Sequence, residues 1–149
     1  MSAATTIGYC LILGLAVAIT RPGSAQGEES AFAAMEKLGT HRFEDAPDGG
    51  RIELTRDPGD SAGIAEVRAH LARIASDFAA GNFSKPGEVH EDKEVPGAAT
   101  MAARRNRISY RYSPVTGGGE LRIVTRDPEA LKAVYQYLAF QRREHTHQH

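Results

Sequence analysis

The sequence predicts an α+β fold in which a ββα unit occurs twice, giving a four-stranded antiparallel sheet with both helices packed on one face. Three observations lead there. The tetrapeptide Thr-Arg-Asp-Pro stands at Thr55–Pro58 and again at Thr125–Pro128. Each copy follows a Gly-rich turn and a short alternating run. Each then precedes a stretch whose apolar residues recur every three or four positions, the period of an amphipathic helix.

The first unit opens with Thr40–Ala46, where His41 and Phe43 alternate with Arg42 and Glu44. Pro47-Asp48-Gly49-Gly50 is hairpin punctuation, because Gly and Asp tolerate the positive φ of a tight turn. Arg51–Thr55 returns with Ile52 and Leu54 alternating, the pattern of a half-buried strand. A helix is predicted from about Ser61 to Ala80, with Ile64, Val67, Leu71, Ile74 and Phe78 as its apolar stripe. Asp60 or Ser61 can cap its start, and Gly81 can end it in a left-handed conformation.

The second unit repeats the order. Ile108, Tyr110 and Tyr112 alternate with Arg107, Ser109 and Arg111, Pro114–Gly119 turns, and Leu121–Thr125 returns. Asp127 caps the next helix, with Pro128 at its first position, where a missing N–H costs nothing. Leu131, Val134, Tyr135 and Leu138 form its expected stripe, and the segment 67–72 aligns with 134–139. Superposing the two tetrapeptides puts Ile52 on Arg122, a phase mismatch that a β-bulge would reconcile. The open face of the sheet is expected to carry Arg42, Glu44, Arg51, Glu53, Arg107, Arg111 and Arg122 as solvated cross-strand pairs.

A chain of 149 residues accommodates one such domain with a modest core. Residues 1–25 read as a signal peptide: Ile7–Ile19 is uncharged but short of the roughly 20 apolar residues a span needs, and Gly23-Ser24-Ala25 supplies a small-residue cleavage context. A retained anchor is the alternative. Residues 26–39 form a loosely attached arm, and residues 146–149 a tail. Cys10, the single cysteine, lies inside the expected signal, so the mature chain has no thiol. Any metal site must then use His, Met, Asp or Glu. Removing residues 1–25 deletes Arg21 and no acid, which leaves 17 Lys+Arg against 19 Asp+Glu. A net charge of −2 exerts no global pull on nucleic acid or anionic lipid, despite a local patch of Arg104, Arg105, Arg107 and Arg111 with Tyr110 and Tyr112.

Asn82–Asn106 between the units lacks a clear period, and long loops in compact domains tend to be lids or binding loops. It carries His90 and Met101. His41 shares a strand face with Phe43, and His145 lies seven residues past Leu138, on the continuing stripe of the last helix. Together His41, His90, Met101 and His145 can converge at one edge of the sheet. A His/Met set without Cys suits copper, since imidazole serves either oxidation state and thioether prefers Cu(I). His147 and His149 on the tail, and His70 beside the first helix stripe, are secondary metal candidates. No serine sits in a nucleophile elbow, and Gly117-Gly118-Gly119 lies in a hairpin rather than between a strand and a helix, so neither hydrolase nor phosphate-loop chemistry is indicated.

The segments Gly39–Phe43, Arg68–Leu71, Ile74–Phe83, Val89-His90, Pro96-Gly97 with Met101, Ile108–Tyr112 and Phe140–His145 resemble a family of small exported bacterial proteins. The resemblance covers about residues 39–145. Members of that family have carried the label aspartate carbamoyltransferase, but this chain is far shorter than that enzyme and lacks its Ser-Thr-Arg-Thr carbamoyl-phosphate loop. What the resemblance implies is export and a shared fold, not that activity. Arg42 stands where the resemblance implies a second His after His41.

The functional expectation is a periplasmic or secreted, non-catalytic protein that binds a copper-type metal or small ligand through His41, His90, Met101 and His145. No nucleic-acid partner is expected, and no membrane partner after signal cleavage. The rival readings are a homodimeric interaction module using the open sheet face, and an enzyme with a small-molecule site under the 82–106 loop.

Overall fold

The computed structural model describes residues 39–84 and 94–146. The expected signal peptide, the arm apart from Gly39, His90, and His147 and His149 of the tail lie outside the described residues. The two hairpins are β1 (Thr40–Ala46) with β2 (Gly49–Thr55), and β3 (Ile108–Val115) with β4 (Gly118–Thr125). Helix α1 spans Ser61–Ala79, the short α2 spans Ala98–Ala103, and α3 spans Pro128–Thr146. The four strands form one antiparallel sheet in the order β1-β2-β4-β3, as the repeated unit predicts. No helix among the described residues is long and apolar enough to cross a membrane.

Two-residue turns close both hairpins, at Pro47-Asp48 and Thr116-Gly117. Each return strand opens on a Gly-Gly pair, and the burial patterns then run in parallel, with Ile52 and Leu54 facing the helices in β2, and Leu121 and Ile123 in β4. At the seam between the hairpins Ile52 pairs with Leu121, its own counterpart, so a pseudo-twofold axis passes through that pair. The phase mismatch of the two tetrapeptides has a simple cause. Strand β4 is one residue longer than β2, and its pairing is continuous, so no bulge is needed. Thr55 therefore lies on the open face, while Thr125 is buried with its hydroxyl donating to the Arg107 carbonyl at 2.7 Å.

The same four letters also cap their helices differently. Asp127 caps α3 directly, accepting from Ala130 N at 2.9 Å. In the first unit the cap is Asp60, which accepts from Gly63 N at 2.9 Å and pairs with Arg56, while Asp57 closes a local turn onto Gly59 N. Gly81, at φ +82°, ends α1 with Gly81 N donating to the Phe78 carbonyl and Asn82 N to that of Asp77, a Schellman arrangement.

Each helix crosses the seam and covers the other unit's hairpin. Helix α1 packs mainly on β3 and β4, and α3 mainly on β1 and β2. The twofold relation extends to single bonds. Arg68 on α1 donates to the carbonyls of Val115 and Gly118 at 2.9 Å, and Tyr135 at the matching position of α3 donates to that of Ala46 at 2.9 Å. Leu138 of α3 lies over Gly50, and Leu71 of α1 over Gly119. The buried residues of α3 are Ala130, Ala133, Val134, Tyr137, Leu138, Phe140 and Gln141. Leu131 and Tyr135, expected in that stripe, sit at its flank and are half-buried, because small alanines let the helix rotate closer to the sheet.

The open face carries Arg42, Glu44, Arg51, Glu53, Arg111 and Arg122 as expected, while Arg107 belongs to a 3-10 turn before β3. Arg51 pairs with Glu44 and Glu120, Arg42 with Glu44 and Glu53, and Arg122 with Asp48. These charges neutralise one another within the plane and leave a hydrated surface.

The interlock of Gly50 with Leu138 is directly testable. A Cβ on Gly50 would sit 2.2 Å from Leu138 Cδ1 and 2.9 Å from the Glu44 carbonyl. Leu138→Ala should cost about 2–5 kcal/mol in denaturant unfolding. Gly50→Ala should also destabilise, and the double variant should lose clearly less than the sum of the two, since the truncated leucine makes room for the new methyl.

Candidate functional site

Of the expected ligand set, the structure brings two members together. His41 lies on the helix-facing side of β1, one strand period from Phe43. His145 lies in the last turn of α3. Their rings stack with centroids 4.4 Å apart and planes inclined by 19°, and the His145 ring also stacks on Phe43 at 5.1 Å. Helix α3 is fixed on β1 by Tyr135 at Ala46 and by Arg142. The Arg142 guanidinium donates to the Phe43 carbonyl at 3.1 Å and grips Asp45 with two bonds at 3.0 and 3.1 Å. His145 is one turn beyond Arg142, so that clamp sets where its imidazole falls.

Burial lowers the His41 pKa from 6.5 to about 4, and a hydrogen bond with the Gly39 backbone opposes the shift. The His41 imidazole is therefore neutral at pH 7 and keeps a lone pair for a ligand.

The twofold relation supplies an internal comparison. The counterparts of His41, Phe43 and His145 in the other half are Tyr110, Tyr112 and Phe78. There Phe78 meets Tyr110 edge-on at 5.7 Å, and Phe83 and Tyr137 complete an aromatic cluster. Burial pushes the Tyr110 phenol well above its ordinary value, and its hydroxyl has no hydrogen-bond partner among the described residues. One half fills these positions with aromatic packing, the other with two imidazoles.

The other described candidates, Met101 and His70, lie elsewhere. Met101 is fully buried on α2, which packs against the Gly81 terminus of α1 and the Ala133–Tyr137 stretch of α3, towards the Phe78 end. His70, expected beside the first stripe, is buried within it at 5 % exposure. Among the described residues no three of His, Cys, Asp and Glu converge as a metal cluster. The short helix α2 was not visible in the sequence pattern. Its Ala-rich run carries no stripe, and buried Val95 and Met101, with half-buried Ala98, anchor it. No family model matches the chain, and neither curated proteins nor solved structures provide a match.

The lowered His41 pKa links this corner to stability. The unfolded chain takes up a proton near pH 6.5, whereas the folded chain resists until about pH 4. Stability contributed by neutral His41 is thus complete above pH 6.5 and is lost as pH falls towards 4. Between pH 7 and 5 the loss should reach up to about 2 kcal/mol. Urea midpoints at the two pH values measure it, and His41→Phe, which keeps the stack, should remove this part of the pH dependence.

Proposed function

We propose that the protein is a non-catalytic binding protein whose ligand site is the His41–His145 corner, and that its ligand is a transition-metal ion of the copper type. The observation that carries this reading is the stacked imidazole pair at 4.4 Å, standing where the other half of the fold has Tyr110 and Phe78. His145 stands where the other half has the hydrocarbon ring of Phe78, and a half-buried polar ring packs less favourably there, so its use favours chemistry over packing. Rotation about the side-chain torsions turns a face-to-face pair into two nitrogens directed at one ion. Copper accepts imidazole in either oxidation state, and solvent completes the shell. The signal reading of residues 1–25 adds export to this proposal.

Calorimetric titration of chelator-stripped protein with Cu(II) tests it. One equivalent should bind, and His41→Phe or His145→Phe should each weaken binding by at least about 10- to 100-fold, the range that even an outer-shell partner is worth. A chain ending at Glu144 should behave like His145→Phe, while replacing His147 and His149 with Ala should leave the site intact. Binding that follows only His147 and His149 would overturn the proposal.

A further inference from the structure

Arg126 follows Thr125 directly at the end of the β3–β4 ladder, and Arg107 closes the 3-10 turn just before Ile108, the strand partner of Thr125. The bond from Thr125 Oγ1 to the Arg107 carbonyl ties the two segments together. Both arginines line one groove, and like charges that share a groove repel. Neighbouring arginines are committed to carboxylates, Arg104 to Asp127 and Arg122 to Asp48. Arg107 and Arg126 have no carboxylate partner among the described residues.

A groove of about 540 Å³ opens at this point, lined by both guanidinium side chains and by Asn106, Ser109, Val124 and Asp127. Asp127 does not balance the two charges. Its carboxylate is already held below its ordinary pKa by the Ala130 N–H and then by Arg104, whose Nη1 lies 2.8 Å away. The groove thus has an excess of two positive charges, an amide and a hydroxyl as further donors, and one apolar wall.

We propose that this groove binds a dianionic phosphoryl group. A phosphate carries about two negative charges and three strong acceptor oxygens. Two guanidinium forks complement that charge and geometry better than they complement a single carboxylate. Bound phosphate also relieves the Arg107–Arg126 repulsion, which gives the free groove a reason to take it up. The site is separate from the His41–His145 corner, and neither depends on the other.

Titration of the full chain with inorganic phosphate, at ionic strength held constant with NaCl, decides the matter. Saturable one-site binding is expected, with Arg107→Ala and Arg126→Ala each weakening it by about tenfold or more. Arg105→Ala serves as the control, because that side chain is exposed and lies against Gly81 rather than in the groove. It should bind as the parent does. The thermal midpoint of the phosphate-free Arg107→Ala and Arg126→Ala variants should hold or rise, which separates loss of binding from loss of fold. Glycerol 3-phosphate in parallel identifies the source. Binding at least as tight as inorganic phosphate marks a phosphate ester as the ligand, and failure of the ester alone marks free phosphate. Absence of saturable binding to either probe, or an Arg105→Ala loss equal to that of Arg107→Ala, would overturn the proposal.

Discussion

The β2–β4 seam is the interaction on which the rest of the structure depends. Ile52 and Leu121 meet there, and every other pairing in the sheet is registered from that contact. The seam joins the hairpins so that each helix can reach across it, α1 to β3 and β4, and α3 to β1 and β2. A single ββα unit would leave its sheet face uncovered by its own helix, and a two-stranded hairpin is marginal alone. The core therefore forms only when both units close together, which couples the hairpins, the seam and the two helices into one cooperative transition. The Gly-Gly start of each return strand serves the same end. Its second glycine yields the volume that Leu71 or Leu138 from the opposite helix occupies.

Where a structure repeats itself, its departures from the repeat carry the information. Most of the interior obeys the twofold relation: Leu71 and Leu138, Arg68 and Tyr135, Ile52 and Leu121 play matching parts. The two outer corners do not. One has Phe78, Tyr110, Phe83 and Tyr137 in mutual ring contact, and the other has His41 and His145 stacked over Phe43. The first gains about 0.5–1.5 kcal/mol per aromatic pair beyond its buried area, at the cost of a buried Tyr110 hydroxyl, whereas the second puts two polar imidazoles in contact. The Arg142 clamp is a second departure. Its matching position on α1 is Ala75, so the clamp on Phe43 and Asp45 of β1 has no counterpart at the matching positions of β3.

Much of this was legible in the sequence because period and spacing are local. The strand alternation of Thr40–Ala46, the turns, both caps of the helices and the stripe of α1 follow from neighbouring residues alone. The pairing of His41 with His145 was legible too, since a period of two and a step of seven each place one imidazole on the buried face. Other features depend on quantities that local patterns do not contain. The rotation of α3 is set by the small volumes of Ala130 and Ala133 against the sheet, which shifts Leu131 and Tyr135 to the flank. Helix α2 exists because Gly97, at φ +86°, lets the chain approach the α3 backbone where a Cβ would lie 2.2 Å from the Ala133 carbonyl. That approach draws Met101 into the core and away from His41 and His145.

The extra residue of β4 shows how a small change in length generates a site. In the first unit, Arg56 follows a seven-residue strand and turns back to Asp60, so its charge is neutralised locally. In the second, the added Thr125 buries its hydroxyl on the Arg107 carbonyl, and the following arginine lines the same groove as Arg107. The helix cap simultaneously moves to Asp127, which takes the nearest carboxylate out of reach by binding it to Ala130 N and Arg104. Identical tetrapeptides thus end in a closed ion pair in one unit and, in the other, in an arginine that shares a groove with Arg107. Like charges that share a groove are disfavoured unless an anion lies between them, so the register that lengthens β4 favours the proposed anion. The pseudo-twofold axis places this corner diagonally across the sheet from His41, which lets the two corners diverge without disturbing the seam that both require.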